Sequence, residues 1–160
     1  MRRLLLLLMI AGALLLPVGI AYATPPTAAS GTIESQLVET TIIRYPDGNI
    51  VLTIKREGQL SGTTEGLITE TTYVVGKRIT TVHGIQICDP CSVGGRSGTY
   101  VLRFEGTEDP YGHDWGHWVY LSGTGDLANL RGHGTYEGSG APDGSFSGTY
   151  SGEYHFDPEP

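Results

Sequence analysis

The segment richest in side chains capable of chemistry is GHDWGHW, at residues 112–118. Two histidines and an aspartate lie close together there, and such groups can bind a metal or transfer protons. The spacing matches no defined metal or catalytic motif, so we assign no metal ligand. We interpret the segment as an aromatic loop that enters a strand at the rim of the fold. Trp115, His117 and Trp118 are then expected to contact a ligand, because loops over a rigid scaffold often carry function.

Cys88 and Cys91 are the only cysteines in the chain. A thioredoxin-like redox centre places its reactive cysteine at the start of a helix, and no helical pattern follows here. A structural zinc site needs more ligands than this pair offers. We therefore predict a disulfide between Cys88 and Cys91 that staples the turn after a strand, with a redox pair or a metal site as the alternatives.

His83 lies in a run with the alternation of a half-buried strand. The residues on its face of this run are Ile79, Thr81, His83, Ile85 and Ile87. If the face turns inward, His83 is one polar group in an apolar interior, which is typical of ligand cavities. The alternative is a buried histidine that hydrogen-bonds a tyrosine hydroxyl or a backbone carbonyl. The apolar faces of later strands complete the predicted lining with Tyr100, Leu102, Phe104 and Tyr154.

Four glycines surround a short polar loop in SGTGDLANLRGHGTYEG, at residues 122–138. A phosphate-binding loop would be followed by a helix, and no helical pattern follows this one. We interpret the loop as a crowded corner of a sheet, plugged by Leu127 and Leu130. At Gly125 or Gly132 we expect a backbone that disfavours a β-carbon. Arg131 is within reach of the Asp126 carboxylate. The residues assigned to this structural loop are Gly123, Gly125, Asp126, Arg131 and Gly132.

Three segments of the chain resemble an uncharacterised bacterial family in the allene oxide cyclase barrel-like superfamily. They are GTGDLANLRGHGTY (123–136), GGRSGTYVLRFEGT (94–107) and SGTYSGEYHF (147–156). Plant dirigent proteins and allene oxide cyclases carry a similar pattern of Gly-Thr-Gly, short loop and glycine. The resemblance implies a closed β-barrel. It transfers no catalytic residue, because only the glycine loop matches.

The N-terminus has the plan of an export signal. Arg2 and Arg3 precede an apolar run at residues 4–16, and Ala21-Tyr22-Ala23 offers a small-x-small cleavage site. The apolar run is short for a membrane span, which needs about 20 residues. We predict a signal peptide at 1–23, with an uncleaved anchor as the alternative, and a secreted or extracytoplasmic protein. Residues 24–30 (TPPTAAS) are interpreted as a disordered leader before a domain at 31–157.

The charge of the predicted mature chain argues against some classes of partner. Eight basic and seventeen acidic residues follow position 23, which gives a net charge of −9 before histidine. Phosphate contacts need a basic patch, so we expect no nucleic-acid partner. For the same reason we expect no stable membrane association once the signal is removed. The sequence is compatible with an oligomer.

The composition and periodicity of the remaining chain indicate an all-β fold. Glycine is abundant, threonine and tyrosine recur, and no long helical period appears. About eight strands with short turns, each with one apolar face, predict a closed or nearly closed antiparallel barrel. A two-sheet sandwich is the alternative from the pattern alone, and the family resemblance favours the barrel.

Three functions are compatible with such a barrel. The first is binding of a small apolar or amphipathic molecule in the interior. The second is cofactor-free isomerisation or cyclisation, as the resemblance to allene oxide cyclases and dirigent proteins implies. The third is a structural module of the envelope. No metal or cofactor motif is present, so we predict no cofactor. A polar pair inside the cavity would favour an enzyme, and an interior filled by aromatic side chains would favour a structural module.

Overall fold

The computed structural model describes residues 23–46, 50–76 and 80–158. The strands are β1 (Thr27–Arg44), β2 (Ile50–Gly62), β3 (Thr64–Gly76), β4 (Thr80–Val93), β5 (Arg96–Glu108), β6 (His113–Gly125), β7 (Leu130–Gly140) and β8 (Phe146–Phe156). Each strand pairs antiparallel with its neighbours in sequence, and β1 also pairs with β8, which closes the barrel. The predicted closed all-β barrel is therefore confirmed. No helix long and apolar enough to cross a membrane occurs in the described part of the chain.

Glycines on the inner face make room for the aromatic rings of the interior. A β-carbon on Gly84 would collide with Cζ of the Phe104 ring, and one on Gly134 would lie 2.6 Å from Trp118 Cζ2. Aromatic rings thus occupy the space that a β-carbon would need on the neighbouring strand. Bulky rings fit inside an eight-stranded barrel because the facing positions carry no side chain.

One end of the barrel, formed by the connections after β2, β4 and β6, is filled by side chains; we call it the closed end. Val93, Leu127 and Leu130 are fully buried there. The β6–β7 connection turns tightly through hydrogen bonds from Leu127 N to Thr124 O (3.1 Å) and from Leu130 N to Leu127 O (3.0 Å). These bonds hold both leucines under the barrel as the predicted apolar plug.

The opposite end, where β1, β3, β5 and β7 end, is called the open end. β8 begins only at Phe146, which pairs with Ser35, whereas β1 and β2 stay paired as far as Arg44 and Ile50. The wall of the barrel is therefore taller on the β1–β2 side than on the β8 side. The short β7–β8 connection at residues 141–145 lies at the low side of this rim.

The first strand begins earlier than the sequence analysis assumed. β1 starts at Thr27, and its first residues pair with β8 from Thr27↔Tyr154 to Ser35↔Phe146. Thr24 is also tied to the last strand, since its backbone N donates to Phe156 O at 2.9 Å. The assignment of residues 27–30 to a disordered leader is therefore wrong. Their small side chains carry no strand pattern of their own, and this strand forms because partner β8, distant in sequence, supplies its hydrogen bonds.

Residues 1–22, which carry most of the predicted export signal, lie outside the described residues. Ile79, predicted to line the interior, also lies outside them.

Candidate functional site

A cavity of about 50 Å³ lies inside the barrel, between the plug at the closed end and the open end. Its wall is largely aromatic, formed by Tyr100, Phe104, Trp118, Tyr120, Tyr136 and Tyr150. The rings of Tyr100 and Tyr120 meet edge to face at 4.9 Å between centroids, and those of Trp118 and Tyr120 at 5.2 Å. The space exceeds what one water molecule needs, about 10–15 Å³. The interior is therefore a lined cavity above a packed core.

A buried hydrogen-bonded chain ends on the carboxyl group of Glu70. Tyr100 Oη donates to Gln86 Oε1 at 3.0 Å, and Gln86 Nε2 donates to Glu70 Oε1 at 2.8 Å. Ser35 Oγ donates to the other carboxyl oxygen at 3.3 Å. Burial raises the pKa of Glu70 above its usual range, although these donors and the charge of Arg56 oppose the shift. The chain fixes the Glu70 carboxyl in the cavity wall.

A second carboxyl group, that of Asp114, lies in the wall near the open end. It accepts a hydrogen bond from Tyr136 Oη at 3.0 Å. Burial raises the pKa of Asp114 to about 6, helped by the negative charges of Glu108 and Glu70. Burial and the neighbouring Asp114 also raise the pKa of Tyr136, so its hydroxyl stays protonated and donates. Asp114 can therefore take or release a proton near neutral pH.

In the part of the chain that the structure describes, Arg56 is the cationic side chain that lines the cavity. Its Nε donates to Gly144 O at 2.9 Å, and its guanidinium carbon lies 5.9 Å from the centre of the Phe146 ring. It thereby links β2 to the β7–β8 connection across the open end. Its charge lowers the pKa values of Glu70 and Asp114 against the larger effect of burial.

The prediction for His83 is wrong, because its side chain is exposed on the outside of β4. Ile87, on the same face, is 46% exposed, and Ile85 is half-buried. The inner face of β4 instead carries buried Gln86 and Cys88. Because side chains alternate across a strand, placing these two inside turns His83 and its isoleucine neighbours outward.

The aromatic segment at residues 112–118 divides between the two faces of the wall. Trp118 lines the cavity, as expected for a ligand contact. Trp115 is 42% exposed and stacks on His113 at 5.1 Å, and His117 is exposed. Trp115 and His117 line a groove on the outer wall and lie away from the cavity, so their predicted contact with a ligand does not extend to the barrel interior. The segment is part of β6, whose alternation sends Asp114 and Trp118 inward and the other two outward.

Other predicted lining residues also separate into two groups. Tyr100, Leu102 and Phe104 line the cavity, as predicted. Tyr154 is buried away from the cavity wall, beside Phe156 and next to Gly94 at the closed end. It therefore belongs to the packed core.

Sequence reasoning missed the polar groups of the cavity, which are Arg56, Glu70, Gln86 and Asp114. The signal was present in β3, where Glu70 shares a face with Ile68 and Thr72. A charged residue that shares a strand face with apolar residues lies either on the outer face of the strand or in a cavity on the inner face. Which of the two faces is the inner one is known only once the barrel has closed.

The glycine loop and the cysteine pair form structural features. Gly125 has a φ of 60°, as expected of one of the two glycines, and Gly132 has no positive φ but faces Glu153 O and Tyr154 too closely to admit a β-carbon. Arg131 pairs with Asp157 at 2.9 Å, so its expected contact with Asp126 is wrong. Asp126 is held through its backbone N, which donates to Ser97 O at 3.0 Å, and the backbone of Gly123 crowds against Leu127 O.

The predicted disulfide between Cys88 and Cys91 is confirmed, and both residues are buried in the core. It bridges an irregularity in the pairing of β4 with β5. Across residues 23–46, 50–76 and 80–158, no three His, Cys, Asp or Glu side chains are grouped to hold a metal ion.

Comparison with known proteins finds a solved structure with a similar fold. The crystal structure of a protein of unknown function from the DUF3224 family of Shewanella oneidensis MR-1 is similar, with a TM-score of 0.65 and 18% sequence identity. The match covers 84% of this chain and all of that one. No curated protein matches the chain in sequence. The wider resemblance to allene oxide cyclases and dirigent proteins stays a prediction from the glycine-loop motif.

The model of the family described as "Protein of unknown function (DUF3224)" matches residues 31–152, which span the barrel from β1 into β8. On the strength of this match, the chain belongs to the DUF3224 family.

Proposed function

We propose that the protein binds a small amphipathic molecule in the barrel cavity. The observation that carries this proposal is the combination of an aromatic wall with a few fixed polar groups, Arg56, Glu70 and Asp114, around unfilled space. Ligand sites have this composition. A purely structural core seldom buries ionisable groups, because removing them from water costs free energy. The cavity favours a binding function over a structural module.

Fixed orientation of the polar groups supports the proposal further. Glu70 is held by two donors and Asp114 by one, so neither carboxyl group has to reorganise when a ligand enters. Preorganised polar groups lower the cost of binding.

An extracytoplasmic location is part of the proposal. The disulfide between Cys88 and Cys91 supports it, because disulfides persist mainly in oxidising compartments. The excess of seventeen acidic over eight basic residues after position 23 supports a small-molecule partner over a nucleic acid.

A second candidate function is cofactor-free acid–base catalysis of an isomerisation. Asp114 favours it, because a carboxyl group with a pKa of about 6 can donate and accept protons near neutral pH. In that case Asp114→Asn would abolish turnover of a bound substrate and leave its binding largely intact.

Native mass spectrometry of protein purified from its own host tests the binding proposal. We expect a non-covalent adduct that is lost on Thr72→Phe, which fills the cavity with a ring, because Thr72 is buried and lines it. Thr71→Phe is the matched control, since the neighbouring side chain alternates to the outer face of β3. Retention of the adduct by a folded Thr72→Phe variant, or no adduct on the parent, would contradict the proposal.

A further inference from the structure

Within residues 23–46, 50–76 and 80–158, carboxyl groups outnumber cations in the cavity wall. The charged residues among them that line the cavity are Arg56, with one positive charge, and Glu70 and Asp114, with one negative charge each when ionised. Glu108, half-buried at the open end, adds its charge to the field that raises the pKa of Asp114. With Glu70 and Asp114 both ionised, the lining therefore carries one negative charge more than Arg56 balances.

A single proton on one of the two carboxyl groups compensates this excess. Burial raises the pKa values of both Glu70 and Asp114, so either group can hold that proton. A buried charge is otherwise stabilised by a partner of opposite sign. A ligand that brings a positive charge would take over this role from the proton.

The rest of the wall also suits a cation. Phe104, Trp118 and Tyr136 offer ring surfaces to the cavity, with Phe104 and Tyr136 edge to face at 5.9 Å. Cations are attracted to aromatic faces, and the attraction grows when water is excluded. Burial raises the pKa of Tyr120 to about 12, so the neighbouring phenol stays neutral.

Resting on the proposed function, we infer that the ligand is a small organic cation: a protonated amine on an apolar or aromatic body. Its ammonium group pairs with the carboxylates of Glu70 and Asp114, and its body extends along the aromatic wall toward the open end, because a cavity of about 50 Å³ is smaller than the roughly 150 Å³ that encloses a benzene ring. An anionic ligand is disfavoured, because it would meet two carboxyl groups, while Arg56 is already engaged with Gly144 O and the surrounding negative charges.

This inference predicts a pH dependence of binding. The amine binds the ionised carboxylates, so its affinity rises with pH as Asp114 loses its proton around pH 6. The groups that act on Asp114 are Tyr136 from β7, Glu108 from β5, Arg56 from β2 and Glu70 from β3. Of these, the carboxyl groups raise its pKa, and binding of a cation opposes their effect.

Isothermal titration calorimetry with three probes of similar shape tests the inference: benzylamine, benzyl alcohol and benzoate. At pH 7.5 we expect benzylamine to bind about tenfold more tightly than benzyl alcohol, and benzoate to bind most weakly, because only the amine gains a charged partner. The preference for benzylamine should shrink about fivefold or more at pH 5, where carboxylates take up protons.

Single substitutions test whether the preference for benzylamine depends on Glu70 and Asp114. Glu70→Gln and Asp114→Asn should each weaken benzylamine binding about fivefold or more and leave benzyl alcohol within about twofold, because each removes a charge and keeps the shape. Glu57→Gln removes an exposed carboxylate next to Arg56 in sequence and should change neither affinity by more than about twofold. The pH profile of the parent protein gives the same information without any variant.

The outcomes separate this inference from the proposed function. If benzoate or benzyl alcohol binds as tightly as benzylamine and loses that binding on Thr72→Phe, the inference of a cationic ligand is wrong, but the cavity is still a binding site. An equal loss of benzylamine binding in Glu57→Gln would assign the effect to overall charge and overturn the inference. If none of the probes binds, the inference is also overturned. The proposed binding function is then tested independently by the adduct sought in native mass spectrometry.

Discussion

At the scale of single residues, the barrel is defined by what its inner positions carry. Glu70 and Asp114 occupy positions where an ordinary core would hold apolar side chains, and Gly84 and Gly134 occupy positions where a β-carbon would collide with a ring. Both departures shape the cavity. The carboxyl groups place ionisable oxygens in its wall, and the glycines leave space for the aromatic rings that line it.

Asp114 should impose a recognisable pH dependence on stability. Its pKa rises from 3.8 to about 6 in the folded protein, so the folded state binds its proton more tightly than the unfolded chain does. The resulting stabilisation is present below pH 3.8 and is lost as pH rises through about 6, with a magnitude of at most about 3 kcal/mol. Asp114→Asn should therefore lose less unfolding free energy than the parent between pH 4 and pH 7, measured by urea denaturation. Parallel pH profiles for parent and variant would show that Asp114 is not the group responsible.

Gly134→Ala should destabilise the barrel by roughly 1–3 kcal/mol through overpacking. A β-carbon there would meet Ser151 O and lie 2.6 Å from Trp118 Cζ2. Gly140→Ala is the matched control on the same strand, where the nearest atoms are 3.9 Å away, and it should change stability by no more than about 0.5 kcal/mol. Thermal unfolding of both variants measures the contrast, and equal melting temperatures would refute the role assigned to Gly134.

At the scale of elements, the sequence indicated where the strands are better than it indicated which face of each strand points into the barrel. In β5 the alternation of Tyr100, Leu102 and Phe104 identified the inner face correctly. In β4 the same reasoning chose the isoleucine face, and the structure turns Gln86 and Cys88 inward instead. A cavity with polar groups reverses the usual rule, so hydrophobicity alone cannot orient a strand whose two faces are both partly apolar.

Strand β1 illustrates a second limit. Residues 27–30 have no apolar pattern, and their conformation depends on pairing with β8, which follows more than a hundred positions later. Local sequence carries no record of such a long-range hydrogen-bonded partner. Residues 27–30 of the predicted leader are therefore strand. In the β6–β7 loop, by contrast, the positive φ of Gly125 and the buried leucines depend on local residues and were predicted correctly.

The β6–β7 connection should behave as a structural plug. Leu127 is fully buried at the closed end, so Leu127→Ala should cost about 3 kcal/mol of unfolding free energy by leaving a cavity. Leu121→Ala removes the same atoms from a side chain that is 48% exposed and should cost less than about 1 kcal/mol. Chemical denaturation compares the two, and a Leu127→Ala variant as stable as Leu121→Ala would mean that the loop does not seal the barrel.

At the scale of the whole molecule, the barrel has one end filled and the other open, with the charged residues between them. Arg56 ties the β7–β8 connection across the low side of the open end through Gly144 O. An amphipathic ligand would therefore enter past this connection and stop above the plug.

Export should remove the N-terminal segment and leave the barrel intact. Cleavage after Ala23 would start the mature chain at Thr24, whose backbone N already donates to Phe156 O at 2.9 Å. Intact-mass measurement of protein recovered outside the cytoplasm should give the mass of a chain that begins at Thr24 and lacks two hydrogens, because Cys88 and Cys91 are joined. Recovery of only the full-length chain in the membrane fraction would favour the uncleaved anchor.

The most direct test of a ligand-accessible interior uses Trp118 as the reporter. The chain has two tryptophans, so Trp115→Phe leaves only the one that lines the cavity. Titration of this variant with benzylamine and with benzyl alcohol should change Trp118 fluorescence with saturation for at least one of them, and adding Thr72→Phe should abolish that change. A response that never saturates, or one that saturates equally with Thr72→Phe in place, would contradict the cavity as a binding site.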